Sequence, residues 1–365
     1  MKRDVKDRIL NVTLALSVVL VLLVVLEGGA FVASRIHVHN NAGRELAYPV
    51  ENEYLNAVRQ KASALERGYC PYLEVCSMSL AETNYSLAGV GERTTVNPCS
   101  SSTAKQVFVF GGSTTFDAEV FDEDTWPSQL SAELCKRGYA VHVRNFGEGS
   151  YVSTQETLKL VLLLRDGERP DYVLFLDGFN DMYSAYQNGV TGLPHNTALR
   201  NFSYTVFNGN SLFNGFYASW VFRGLQRGFS SRAAITYSEA EARSLSERTM
   251  MTYKGNADVV HTLGDGYGFT PLFFWQPVAC TKQSATAVEL QYCDYKEFMM
   301  FYQNTSVLQR VEGFSDITDA FDKQQETVFI DAAHTGRTGN RLLAGRIADI
   351  VEREFASDGI RPQTK

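Results

Sequence analysis

Apolar residues are distributed along this chain in three patterns. The first is a nearly unbroken block, "ILNVTLALSVVLVLLVVL" from Ile9 to Leu26, interrupted only by Asn11, Thr13 and Ser17. The second is a set of short apolar runs: "QVFVF" (Gln106–Phe110), "YAVHVRNF" (Tyr139–Phe146), "DYVLFLDG" (Asp171–Gly178), "TPLFFWQP" (Thr270–Pro277) and "ETVFID" (Glu326–Asp331). These read as five strands, the undivided ones suited to burial on both faces. The third pattern has helical spacing. "TWPSQLSAELCKRG" carries Thr125 to cap, Pro127 in the first turn and Gly138 to stop; "STQETLKLVLLLRDG" is expected to be capped by Ser153. "SEAEARSLSERTMMTYKGNADVVHTLG" and "RTGNRLLAGRIADIVEREF" are helical by the same test. Strand and helix alternate, which predicts an α/β fold with a mainly parallel sheet covered on both faces.

The N-terminal block is too long and too uniform for a soluble helix, since no polar face exists along Val18–Leu26. At 1.5 Å per residue it nearly spans a hydrocarbon core of about 30 Å. Lys2, Arg3, Lys6 and Arg8 precede it, which predicts a cytoplasmic N-terminus with the rest of the chain outside a bacterial cytoplasmic membrane. The rival is a cleaved signal peptide, with "GGAFVAS" as its processing site. A retained, single-pass anchor is the favoured reading because the run exceeds the usual signal-peptide length. Residues 1–34 then form a cytoplasmic tip and transmembrane anchor. Residues 35–104 read as an irregular extracytoplasmic lead-in, with one helix over "NEYLNAVRQKASALER". Residues 105–358 hold the strand–helix alternation, loosened by an aromatic, Asn/Gly-rich insertion at about 183–267.

Composition changes this picture little. The 365 residues are 44% hydrophobic and 21% charged, which is ordinary for a globular chain. A net charge of -7 without a basic stripe excludes nucleic acid as a partner. Six cysteines suit an oxidising compartment; Cys70 with Cys76 and Cys280 with Cys293 are the simplest pairs, leaving Cys99 and Cys135. No Cys/His pattern has zinc-ligand spacing, so neither a metal site nor a cofactor is expected.

Candidate chemistry collects where the strands end. "GGSTT" with Ser113 follows the first strand, "NFGEGSY" the second, "DGFND" with Asn180 and Asp181 the third, and "DAAH" with Asp331 and His334 the last. In open parallel sheets ligands bind beyond those carboxyl ends. A serine hydroxyl attacks only when a base takes its proton, which His334 can do; Asp331 can orient the imidazole. Backbone N–H groups of Ser113 and of the second loop, with the Asn180 amide, can face a developing oxyanion. The plain alternative for Ser113 is a turn residue, since Gly and Ser commonly end strands. His142, His195 and His261 read as strand-face, structural or exposed histidines. Trp275 and Gln276, at a strand's carboxyl end, are candidate substrate contacts together with Asp181, with core packing as their alternative.

In order and placement, Ser113, the glycines of "NFGEGSY", Asn180 and His334 resemble the four blocks that name the SGNH (GDSL-like) hydrolases, over roughly 105–355. "DGFND" and the C-terminal "D..H….GN" look like envelope-associated bacterial members. The resemblance implies a flavodoxin-like three-layer sandwich. It also implies Ser113, Asp331 and His334 as a catalytic triad, and an oxyanion hole from Ser113, Gly149 or Ser150, and Asn180. Two positions depart from the family pattern. Gly112 stands where an Asp usually precedes the serine, and Ser150 stands where the oxyanion glycine is usual, with Gly149 before it. The expected activity is serine esterase chemistry on acyl esters, acetyl among them, of a carbohydrate or polysaccharide. An O-acyltransferase using the same site, or a non-catalytic envelope scaffold, are the alternatives.

Overall fold

The chain divides into two units, residues 1–45 with 198–236 and residues 46–197 with 237–365. The computed structural model describes residues 2–42, 52–195, 197, 237–293, 302 and 304–362. In the first unit this is one helix, α1 (Lys2–Ala42), whose stretch Thr13–Val32 is long and apolar enough to cross a membrane. The large apolar side chains from Leu14 to Leu26 are all more than half exposed, as the uniform run requires. The middle of the expected aromatic insertion, 198–236, lies outside the described residues.

The second unit begins with α2 (Asn52–Ala62), the hairpin β1 (Glu66–Cys70) and β2 (Glu74–Ser79), and three short strands, β3 (Ala81–Glu82), β4 (Tyr85–Gly89) and β5 (Glu92–Arg93). Strand–helix alternation then follows. Its members are β6 (Lys105–Gly111), α3 (Ser113–Phe116), α4 (Trp126–Lys136), β7 (Val141–Asn145), α5 (Ser153–Arg165), β8 (Tyr172–Asp177) and α6 (Phe179–Asn188). After these come α7 (Glu239–Tyr267), β9 (Thr270–Trp275), β10 (Phe314–Asp316) and α8 (Arg337–Ser357). The main sheet has the order β10-β9-β8-β6-β7-β5-β4-β3. From β10 to β7 all pairs are parallel; the lead-in strands add on antiparallel. Numbered among themselves, the five parallel strands run 2-1-3-4-5, the flavodoxin-like order, with its switch point between β6 and β8.

The undivided apolar runs have a direct cause. In β6, Val107 and Val109 face one core while Phe108 and Phe110 face the other. In β8, Leu174 and Leu176 alternate with Val173 and Phe175 in the same way. Side chains of a strand point alternately to opposite faces, so a strand covered on both must be apolar throughout. α4 and α8 cover the first face; α5 and α7 contribute to the core on the second. Across that second face runs a ladder of stacked rings, Phe146, Phe110, Phe175 and Phe273, with centroids 5.1–5.4 Å apart.

Two expectations are corrected. "ETVFID" is not a strand. The N–H groups of Val328 and Phe329 donate to the Glu289 carboxylate at 2.9 and 3.2 Å, and the segment folds back on itself through a Phe329–Thr335 bridge. The fifth parallel strand is the three-residue β10, which pairs with β9. Ser153 does not cap α5; it is the first helical residue, and the Asp181 carboxylate accepts from its N–H and its hydroxyl. Thr125 does cap α4, accepting from the Ser128 N–H at 3.3 Å. Cys70–Cys76, Cys280–Cys293 and also Cys99–Cys135 are disulfides, the last tying the segment before β6 to α4.

Candidate active site

Ser113 is the first residue of α3, two positions beyond the end of β6. The turn is tight because its neighbours come backbone-close. A Cβ on Gly147 would stand 2.6 Å from the Thr115 carbonyl carbon, so the second loop packs directly on the serine turn. Asn145, at the end of β7, clamps the contact: its Nδ2 donates to the Thr115 carbonyl at 2.7 Å and its Oδ1 accepts from Gly147 N–H at 2.9 Å. A Cβ on Gly112 would stand 1.9 Å from Asn180 Nδ2, so any side chain there would require Asn180 to shift.

His334 comes from the turn at 328–336. Its Nε2 lies 2.8 Å from Ser113 Oγ, and its Nδ1 lies 2.7 Å from Asp331 Oδ2. Asp331 also shapes the turn, since Oδ1 accepts the N–H groups of Ala333 and His334 at 2.9 and 2.8 Å. Its side chain is half exposed, whereas that of His334 is a fifth exposed. Burial would raise the Asp331 pKa, but the hydrogen bond and charge of His334 outweigh it, and the carboxyl is held below its ordinary range.

Around His334 burial opposes charge. Nearby carboxylates prevail, Glu119 first, then Asp331 and Asp117, and the imidazole is pushed up to about 9. Glu119 is itself raised by burial, and its Oε2 is buried without a hydrogen-bond partner among the described residues. Asp117 sits at φ +62 just after α3, 2% exposed, accepting the Trp126 N–H at 2.8 Å and Asn340 Nδ2 at 2.9 Å. Asn340 in turn accepts the Thr335 hydroxyl at 2.6 Å. This bridge ties the serine turn to the histidine turn. It accounts for the "GN" of the C-terminal block, because a Cβ on Gly339 would stand 2.6 Å from the Thr335 Cβ.

The candidate donors divide unevenly. Gly149 N–H is spent on Glu148 Oε1 at 3.1 Å. The Ser150 N–H and the Ser113 N–H have no acceptor among the described residues. Ser150 has φ +68, the left-handed region that favours glycine, so it holds the usual glycine's conformation at an energetic cost. Asn180 Nδ2 donates one proton to the Tyr151 carbonyl at 2.8 Å, leaving its second.

The three expected substrate contacts are placed otherwise. Asp181 is 4% exposed and is engaged by Ser153; burial pushes it up to about 6. Trp275 is fully buried with its Nε1 donating to the Tyr302 carbonyl at 3.0 Å, and Gln276 is 4% exposed. Tyr302 packs on Trp275 with ring centroids 5.1 Å apart and donates its hydroxyl to the Gln276 carbonyl at 3.0 Å. His142 bonds Ser100, His261 lies 3.0 Å from the Glu312 carbonyl, and His195 is buried beside Tyr183; none approaches Ser113 through a recorded contact. Glu119, Asp117, Asn145 and Asn340 were missed in the sequence, although the "GN" beside "D..H" flagged the last.

No protein-family model matches the chain, and no curated protein does either. Among solved structures it is similar to a member of the lipolytic protein G-D-S-L family from Veillonella parvula DSM 2008, at 12% identity and TM-score 0.38, covering 68% of this chain and 100% of that one. It is similar to the acetyl xylan esterase AlAXEase at 13% identity and TM-score 0.40, covering 67% and 99%. A third is the psychrotrophic esterase EstA from Pseudoalteromonas sp., at 12% identity and TM-score 0.39, covering 69% and 99%. The fold is read from the chain's own strand order, and the chemistry from the geometry of the site.

Proposed function

We propose that this protein is a serine esterase that works through an acyl-enzyme. The observation that carries the reading is the continuous contact Ser113 Oγ to His334 Nε2 to Asp331, 2.8 and 2.7 Å, beside uncommitted N–H donors. With His334 neutral and its Nδ1–H donated to Asp331, Ser113 donates to Nε2. Attack of Oγ on the ester carbonyl passes the serine proton to Nε2 and places negative charge on the carbonyl oxygen. The N–H groups of Ser113 and Ser150, with the second Asn180 Nδ2 proton, stabilise that oxyanion. Collapse breaks the bond to the alcohol oxygen, which takes the proton from His334. Water then attacks the acyl-Ser113, gives its proton to His334, and the acid leaves as the serine proton is restored. We assign the substrate to acyl, including acetyl, esters of carbohydrate, and the site to the outer side of a membrane spanned by α1; the family resemblance of the motifs and the basic residues before α1 support both.

The test is labelling with a fluorophosphonate probe and turnover of a chromogenic acetate ester. Ser113→Ala should abolish both with the melting temperature unchanged, and His334→Ala should do nearly as much damage. Asn180→Ala should keep labelling but slow turnover by about 10²–10³, the usual loss for one oxyanion donor. Undiminished turnover by Ser113→Ala would return Ser113 to the role of an ordinary turn residue.

A further inference from the structure

The lead-in hairpin brings one uncommitted cation to the edge of this site. Arg67 of β1 is exposed, and its guanidinium rests against Gly149: a Cβ there would stand 3.1 Å from one terminal nitrogen and 3.6 Å from the guanidinium carbon. Gly149 directly precedes Ser150, whose N–H is one of the donors facing the reaction. Arg67 makes no hydrogen bond, ion pair or ring contact among the described residues. The carboxylate nearest it along the second loop is not available. Glu148 is 1% exposed, turned inward, and accepts from the Ser77 N–H at 2.7 Å, the Ser77 hydroxyl at 2.8 Å and the Gly149 N–H.

Placement of Arg67 is built in rather than incidental. It stands opposite Ser77 in the β1–β2 register, so the same rung that anchors Ser77 to Glu148 aims Arg67 at the second loop. The hairpin is closed by Cys70–Cys76, and Tyr151 binds it through a 2.6 Å bond from its hydroxyl to the Val75 carbonyl. A second exposed guanidinium, Arg59 of α2, adds positive charge on the side of Glu119. A chain with net charge -7 thus presents an arginine without a hydrogen-bond or ion-pair partner among the described residues against Gly149. Long cationic side chains held without a partner beside a reactive group are poised for an anion, which a guanidinium can grip bidentately.

We propose that Arg67 selects esters bearing an anionic group, a carboxylate, sulfate or phosphate, close to the scissile carbonyl. The proposal rests on the esterase reading and narrows its substrate class. The anion can sit on the acyl chain or on the alcohol, and the probes separate the two: mono-4-nitrophenyl succinate against 4-nitrophenyl acetate, and an O-acetylated methyl galacturonoside against the corresponding galactoside. Binding is measured on Ser113→Ala, so that recognition is read without turnover, and kcat/KM is measured on the parent. At least one anionic probe should bind about 10-fold more tightly than its neutral counterpart, in keeping with a charge-assisted pair at a solvent-accessible edge. Adding Arg67→Met to Ser113→Ala should bring that ratio to within about 2-fold of one, Arg67→Lys should retain part of it, and added salt should shrink it. Equal affinity for anionic and neutral probes, or a preference that survives Arg67→Met, overturns the anion site whatever the turnover assay returns. Discrimination by Arg67 with no turnover of any probe overturns the esterase reading and leaves the anion site standing.

Discussion

His334 stands among three carboxylates, and that sets how the site should respond to pH. A general base must be neutral, yet Glu119, Asp331 and Asp117 hold the imidazole protonated up to about 9 against the opposing effect of burial. Turnover should therefore rise with pH and level off only above about pH 9, because each step toward the base form adds active enzyme. Glu119→Gln removes the largest of the charges holding the proton, so the midpoint of kcat/KM against pH should move down. A midpoint near the ordinary histidine value in parent and variant alike would show that Glu119 does not act on His334. Stability runs the other way: a folded-state pKa above the unfolded one stabilises the fold below about pH 6.5, and the contribution fades as pH rises through about 9. At this scale the candidate groups can be picked out in the sequence and their supports cannot. Ser113, Asn180, Asp331 and His334 stand out by residue type near strand ends. Asp117 and Asn340 are 223 residues apart and acquire meaning only through their mutual hydrogen bond. Trp275 is buried against Tyr302, and a strand end looks the same in sequence whether it opens on a cleft or packs against another side chain.

The element that carries Asp331 and His334 is a turn, and a buried ion pair holds it. Glu289 and Lys282 are 0% and 1% exposed and 2.8 Å apart, and Glu289 also accepts from the N–H groups of Thr286, Val328 and Phe329. Burial alone would raise the Glu289 pKa; Lys282 and these amides outweigh it and keep the carboxylate ionised. Glu289→Ala leaves an ammonium buried without its partner, which should cost about 3–5 kcal/mol in denaturant unfolding. Replacing both charges, as in Lys282→Met with Glu289→Leu, removes the stranded charge but also strips Val328 and Phe329 of their acceptor. Recovery should thus be partial, and turnover should remain low because the histidine turn has lost its anchor. Full recovery of both would mean that the pair matters only as charges. The same carboxylate explains the misread strand, since an amide already bound to a side chain cannot join a ladder. β6, β8 and β9 were readable as apolar on both faces, and β7 by its alternation, with Val141 and Val143 buried and His142 and Arg144 half-buried between them. β10 was not, being three residues long, half-buried and polar in two of them. The two-residue β3 and β5 carry too few positions for any period to show.

On the scale of the whole molecule, the apolar Thr13–Val32 stretch of α1 and the three disulfides both suit the proposed extracytoplasmic setting. A helix whose Thr13–Val32 stretch has no buried face has to find its apolar surroundings elsewhere, and about 20 such residues match a bilayer's hydrocarbon thickness. Lys2, Arg3, Lys6 and Arg8 all precede it, and we propose that they retain the N-terminus on the cytoplasmic side. On that proposal the rest of the chain matures where thiols are oxidised, which suits the pairing of all six cysteines. An alkaline phosphatase fused to the C-terminus should accordingly be active, and the fusion should stay with membranes through a carbonate wash. Blocking of thiols without reduction should leave all six cysteines unlabelled in the intact protein. Release of a shortened chain into the soluble fraction would instead establish cleavage near Ala33 while keeping the outside location. An inactive phosphatase together with labelled cysteines would reverse the topology, and the ester substrate would then have to be sought in the cytoplasm.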